Sequence, residues 1–196
     1  PLNRRTSLGF RAQAEYIAPF GSTIDLPIFE KLYLGGEYSV RGFDLRTIGP
    51  RDPVTLLVLG GNKSLLFNAE YLINIAGPVR LVMFADAGQV RDRGENFTWT
   101  EPMIVRTVGG VLQGSILDPN TIFNPFPFQP DVTTTTVGTA SAFKTSIAAE
   151  IRFFMPVLNV PFRLIFAMNP NRWGVLDNNL NPEKKYKFRF AVGTTF

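Results

Sequence analysis

The sequence predicts an all-β chain: antiparallel strands of a transmembrane β-barrel, about six of them within 196 residues, with long loops at one rim. Three observations predict it. No apolar run approaches the roughly 20 residues a spanning helix requires, so any membrane crossing falls to strands, whose backbone groups are satisfied only in a closed sheet. Period-two alternation of apolar and polar residues recurs about six times along the chain, the weak per-segment pattern of a barrel of the outer-membrane type. The connections between those segments are alternately long and short, as loops and turns at the two rims of such a barrel are.

The first segment, 6–17, places Leu8, Phe10, Ala12, Ala14 and Tyr16 on one face against Arg11, Gln13 and Glu15 on the other. A long stretch, 19–60, leads to a second segment, 62–75, with Leu65, Phe67, Ala69, Tyr71 and Ile73 outward and Ser64, Leu66, Asn68 and Glu70 inward. The Ala76-Gly77-Pro78 turn is tight, and the segment 79–89 follows with Leu81, Met83 and Ala85 opposed to Val82, Phe84 and Asp86. After a long stretch the segment 144–154 repeats the scheme, with Ile147, Ile151 and Phe153 against Lys144, Glu150 and Arg152. A short turn precedes 162–169, where Arg163 and Asn169 face inward, and a longer loop precedes 187–196, where Phe188, Phe190 and Phe196 face outward. Six strands fall short of the roughly eight of the smallest barrels, so the expectation is a portion of a larger barrel with two open edges. The stretch 101–142, with Asn124-Pro125-Phe126-Pro127-Phe128 and Thr133-Thr134-Thr135-Thr136, reads as an outer loop whose aromatics cover the barrel mouth.

Composition narrows the function. The chain has no cysteine and no histidine, which removes disulfides, thiolate metal sites, the usual general base and the commonest metal ligand. No catalytic residue, no metal site and no cofactor is therefore expected, and the chain is read as no enzyme. A net charge of +4 raises the question of nucleic acid, but the basic residues are spread over alternate strand positions instead of clustering. A solvated lumen accounts for them, with Glu70 and Glu150 as partners for Arg41, Arg80, Arg152 and Arg163.

Two separated motifs carry the most information: Val40-Arg41-Gly42-Phe43 within the long stretch 19–60, and Phe84-Ala85-Asp86-Ala87-Gly88 at the end of a strand. An arginine inside a membrane barrel needs a carboxylate. Strand parity puts Glu70, Phe84 and Asp86 on the lumen face, where a loop can reach them, so Arg41 is expected to latch onto Asp86 and Glu70 with Phe43 and Phe84 packed nearby. Arg51, in the same loop but outside the motif, is expected to matter little.

These motifs resemble, in order along most of the chain, those of BamA-like proteins of the outer-membrane insertase and two-partner secretion superfamily. Tyr33-Leu34-Gly35-Gly36 through Val40-Arg41-Gly42-Phe43 to Gly49-Pro50 resembles that family's sixth outer loop. Gly60-Gly61-Asn62 with Asn68-Ala69-Glu70-Tyr71 resembles the next strand, and the Asp86-bearing strand, ending at Gly88, resembles the wall that receives the loop. Residues 187–196, with Phe188, Phe190, Gly193 and a terminal Phe196, resemble its C-terminal targeting signal and seam strand. The resemblance implies the C-terminal part of a barrel of roughly sixteen strands in the outer membrane of a Gram-negative-type bacterium. The implied activity is the folding and insertion of outer-membrane proteins by strand templating at a lateral seam, with Gly193 letting the last strand kink. The implied partners are unfolded β-barrel clients, accessory assembly lipoproteins, periplasmic domains of the longer protein and the lipid bilayer. A secretion pore of the same superfamily and, further off, a passive solute porin are the alternatives.

Overall fold

The computed structural model describes residues 3–21, 25–52, 55–108, 111–112, 132–155 and 160–193. The main body, Pro1–Trp99 with Ser141–Phe196, is built on one antiparallel sheet. Its strands are β1 (Thr6–Tyr16), β2 (Lys63–Ala76) and β3 (Val79–Arg91), then β7 (Lys144–Phe154), β8 (Pro161–Met168) and β9 (Tyr186–Val192), neighbouring one another in that order. The sheet is open: among the described residues β1 pairs only with β2 and β9 only with β8.

Between β3 and β7 the chain forms a second compact unit, Thr100–Ala140, with β4 (Thr100–Val108), β5 (Val111–Leu112) and β6 (Val132–Ser141) in a sheet ordered β5-β4-β6. The expectation of a loop over 101–142 is corrected here. Threonine and valine are β-branched and favour the pleated backbone, so Thr133-Thr134-Thr135-Thr136 continues a strand. The Asn124-Pro125-Phe126-Pro127-Phe128 run lies outside the described residues, as do residues 156–159 of the short turn before β8.

The register lines up the side chains in rows across the pleat. Asn68 of β2 and Ser146 of β7 flank Asp86 of β3, and Glu70, Phe84, Ala148 and Ala167 form the next row. Burial is inverted relative to a soluble protein. The rows holding Asn68, Glu70, Asp86, Ser146, Glu150 and Arg163 are buried, whereas Phe10 is 77% exposed and Phe166, Phe188 and Phe190 are each more than half exposed. A soluble sandwich buries its apolar face; here the apolar face looks outward to lipid and the polar face looks into a lumen. Neighbouring rings pack along that outer face, Phe166 tilted against Phe188 at 4.9 Å and Phe162 stacked on Phe190 at 5.8 Å.

The polar face is buried because the β1–β2 connection folds over it. Its backbone finds partners in the bridges Leu32 to Gly61, Leu34 to Ile48 and Arg51 to Val58. Leu34, Val40, Phe43 and Ile48 then form a buried apolar cluster with Leu66 of β2, Val90 of β3 and Val175. On the other rim Gly77, at φ 50°, makes the tight turn from β2 to β3.

Candidate functional site

The loop tip is shaped by its own hydrogen bonds. Gly35 and Gly36 both have φ near 100°, a backbone open to glycine, and the Gly36 N–H donates to the Phe43 carbonyl while Phe43 N–H donates to Val40. This turn directs Arg41 at the wall. The guanidinium donates from Nε to Asp86 Oδ2 at 2.9 Å and from Nη2 to Oδ1 at 2.7 Å, a bidentate pair, and from Nη1 to Glu70 Oε1. The Arg41 backbone N–H adds a bond to Asp86 Oδ2 at 3.0 Å. Asn68 Nδ2 donates both to Asp86 Oδ1 and to the Ser39 carbonyl, each at 2.8 Å. Beneath the guanidinium lies the Phe84 ring, 3.5 Å from Cζ to centroid.

Arg41 is one of three cations in a closed network. Arg152 donates to Glu70 at 2.9 Å and to Glu150, and Arg163 donates through Nε and Nη2 to both oxygens of Glu150, at 2.6 and 3.0 Å. Arg41 Nη1 stands 3.8 Å from Glu150 Oε2. Three guanidinium groups thus meet three carboxylates, Glu70, Asp86 and Glu150, all three carboxylates almost wholly shielded from solvent. Buried charge is tolerated where each member is paired and hydrogen-bonded, and planar guanidinium groups bridge several carboxylate oxygens as lysine cannot.

Two glycines let the backbone come close. A Cβ on Gly42 would lie 1.8 Å from Asn169 Oδ1 and 2.4 Å from Ser146 Oγ; on Gly88 it would lie 2.6 Å from Leu34 Cδ1 and 2.9 Å from Val40 Cγ2. Gly88 therefore serves as the floor on which the loop rests. Asn169 Nδ2 donates to the Gly42 carbonyl at 2.9 Å, holding the tip against the end of β8.

The structure brings Val40, Arg41, Gly42 and Phe43 together with Glu70, Phe84, Asp86 and Gly88. Phe43 and Phe84, however, belong to separate apolar clusters: Phe43 joins Leu34, Val40 and Ile48, whereas Phe84 joins Ala148, Ile165, Ala167 and Ala191. Arg80 also departs from expectation. It lies near the short-turn rim and sits over the Phe154 ring at 4.6 Å, with no carboxylate partner among the described residues. Phe188 and Phe190 stand on the outer face, away from the latch, and Gly193 ends β9 at φ 118° with its N–H donating to the Pro161 carbonyl at 3.0 Å. Phe196 lies outside the described residues.

Sequence reasoning passed over Asn68 and Asp44 and expected Arg51 to matter little. Asn68 shares its parity with Glu70 and lies opposite Asp86, so its place was legible. Asp44 carried no signal, and Arg51 departs from the expectation that it matters little. Arg51 is a staple, donating to the carbonyls of Leu56, Thr47 and Leu176 at 2.9, 2.9 and 3.0 Å. The Asp44 carboxyl is pushed up by burial, but the Lys187 hydrogen bond, the charges of Lys187 and Arg189 and a backbone N–H from Asn178 outweigh this and hold it below the usual carboxylate range.

The family described as the Omp85 superfamily domain matches residues 1–196. Over 82 residues the chain is 38% identical to the outer membrane protein assembly factor BamA of Nitratidesulfovibrio vulgaris, covering 40% of this chain and 10% of that protein. Over 100 residues it is 36% identical to the protein of the same name from Neisseria meningitidis serogroup B, covering 47% of this chain and 12% of that one. The crystal structure of BamA from Haemophilus ducreyi lacking POTRA domains 1–3 has the same fold, with a TM-score of 0.59 at 19% identity over 98% of this chain and 32% of that one. The chain spans about a tenth of the curated relatives and about a third of the solved one. With a match along its whole length, a lipid-facing antiparallel sheet and a loop latched to the lumen wall, the chain belongs to the Omp85 superfamily and is integral to the outer membrane.

Proposed function

We propose that this chain is the C-terminal barrel portion of an outer-membrane protein assembly factor, which folds and inserts β-barrel clients by offering them a strand edge at a lateral seam. The observation that carries the reading is the buried latch of Arg41 on Asp86 and Glu70, in a chain similar to two proteins named as assembly factors. The chemistry required is non-covalent. A client strand pairs with an exposed edge through backbone hydrogen bonds, and β9 has one side unpaired among the described residues. The latch keeps the rest of the wall rigid while that edge works, because a neutral network of paired charges inside the lumen resists rearrangement. Gly193, at its positive φ, supplies a hinge at the end of β9. The partners on this reading are unfolded β-barrel clients, accessory lipoproteins and periplasmic domains of the longer protein.

The test is reconstitution of the intact protein in lipid vesicles with an unfolded client barrel, following the client's folded band by gel mobility. Folding faster than in empty vesicles, reduced at least about tenfold by Arg41→Ala, is expected. Vesicles that leave the client unfolded but pass a soluble partner protein across the membrane would assign a secretion pore instead.

A further inference from the structure

The loop tip has a second anchor, on the side away from the latch. Asp44 follows Phe43 directly, and its Oδ1 is ion-paired with Lys187 Nζ at 2.7 Å and accepts a hydrogen bond from Arg189 Nη2. Both cations belong to β9 and face the lumen, and Lys187 also pairs with Glu183 at 2.6 Å. At seven residues β9 is the shortest strand of the main sheet, and its ladder hydrogen bonds go to β8 alone among the described residues. Beside it a cleft of about 520 Å³ is lined by Glu37, Asp44, Lys184, Lys187 and Arg189, so the strand has room to move on that side.

Residues 41–44 therefore cross the inner side of the sheet as a strut. Arg41 is fixed to β2 and β3, the Gly42 carbonyl to Asn169 behind β8, and Asp44 to β9. Phe43, between them, has no exposed surface, so the segment cannot slacken without opening the apolar cluster it fills. The edge strand is thus tied to the centre of the wall by a route that bypasses the backbone ladder.

We infer that Asp44 is a positioning residue for the edge strand, its ion pairs to Lys187 and Arg189 holding β9 in line with the sheet so that β9 swings away when they break. The consequence for client assembly rests on the proposed strand-templating function; the tie itself does not. Charge and reach carry the inference: one carboxylate in a loop, four residues of backbone fixed along the sheet, and two cations on a strand that, among the described residues, is bonded on one side.

Hydrogen exchange of the intact protein in vesicles tests it. Asp44→Asn keeps the shape and removes the charge. The amides of β9 bonded to β8 are expected to exchange about threefold to tenfold faster, the range set by two partly exposed ion pairs, with a larger effect for Asp44→Lys and recovery in Asp44→Glu. The Leu34 and Ile48 amides, bonded to each other across the loop, serve as the control and should keep their rates. Unchanged β9 exchange in both Asp44→Asn and Asp44→Lys overturns the inference, and so does an equal rise in the loop amides, which would mark Asp44 as a general loop-folding residue. Faster β9 exchange with client folding unaltered leaves the tie standing and counts against strand templating as its use.

Discussion

Replacing Arg41 by alanine isolates the latch. The substitution removes three side-chain hydrogen bonds, two to Asp86 and one to Glu70, and leaves Arg152 and Arg163 facing Glu70, Asp86 and Glu150, so a balanced network acquires one uncompensated negative charge. Stripping one partner from a buried ion pair costs about 3–5 kcal/mol. Asp86 would keep the backbone N–H of residue 41 and Asn68 Nδ2, and Glu70 would keep Arg152, which places the loss at the lower end, about 3 kcal/mol. Arg41→Lys keeps the charge but not the fork, and should lose about 1.5–3 kcal/mol. The assay is urea unfolding of the intact protein in vesicles, read by gel mobility, with Asp86→Ala and the double variant completing a cycle. The double variant should be less destabilised than the sum of the two by about 0.5–3 kcal/mol. An Arg41→Ala protein within about 0.5 kcal/mol of the parent, or strictly additive effects, would refute the latch.

Four further outcomes are expected. Gly42→Ala should prevent seating of the tip, since its Cβ would meet Asn169 and Ser146 far inside contact distance; protease cutting within 19–60 should rise while circular dichroism keeps its strand signal, and Gly88→Ala, which can be met by shifts of Leu34 and Val40, should cost about 1–3 kcal/mol. Phe166→Arg, on the outer face, should destabilise the folded barrel by about 2–4 kcal/mol if that face meets the bilayer midplane, and the same change should be nearly silent if it meets water. The Asp44 tie should survive mild acid. Its folded pKa is lowered from 3.8, so its contribution is complete above that ordinary value and is lost as pH falls through the lower folded one. Exchange of β9 amides, corrected for intrinsic rates, should hold steady from pH 7 to 5 and rise only below the ordinary carboxylate range. Asp44→Asn should abolish the Asp44 share of that rise.

The sequence by itself determined which side of each strand meets lipid and which meets the lumen, because a pleated backbone sends successive side chains to opposite faces. From that parity alone Glu70, Phe84 and Asp86 shared a face, and a loop arginine had to find them. Parity is silent about height along the barrel axis. Tertiary structure decided that Arg80, on the lumen parity, stands near a rim and takes the Phe154 ring, while Arg152 and Arg163 lie deep enough to meet Glu70 and Glu150. Register between strands set those heights, and register follows from turns and bulges, such as the shift between Asn74 and Ala76, that alternation does not encode. The loop was legible only as a motif. Where its backbone crosses the sheet depends on Leu34, Val40, Phe43 and Ile48 burying themselves against Leu66 and Val90, a long-range packing that brings Asp44 to β9, Gly42 to Asn169 and Arg51 to Leu176. Contacts between residues 125 to 145 positions apart are set by the packing of the loop on the sheet, and no local pattern announces them.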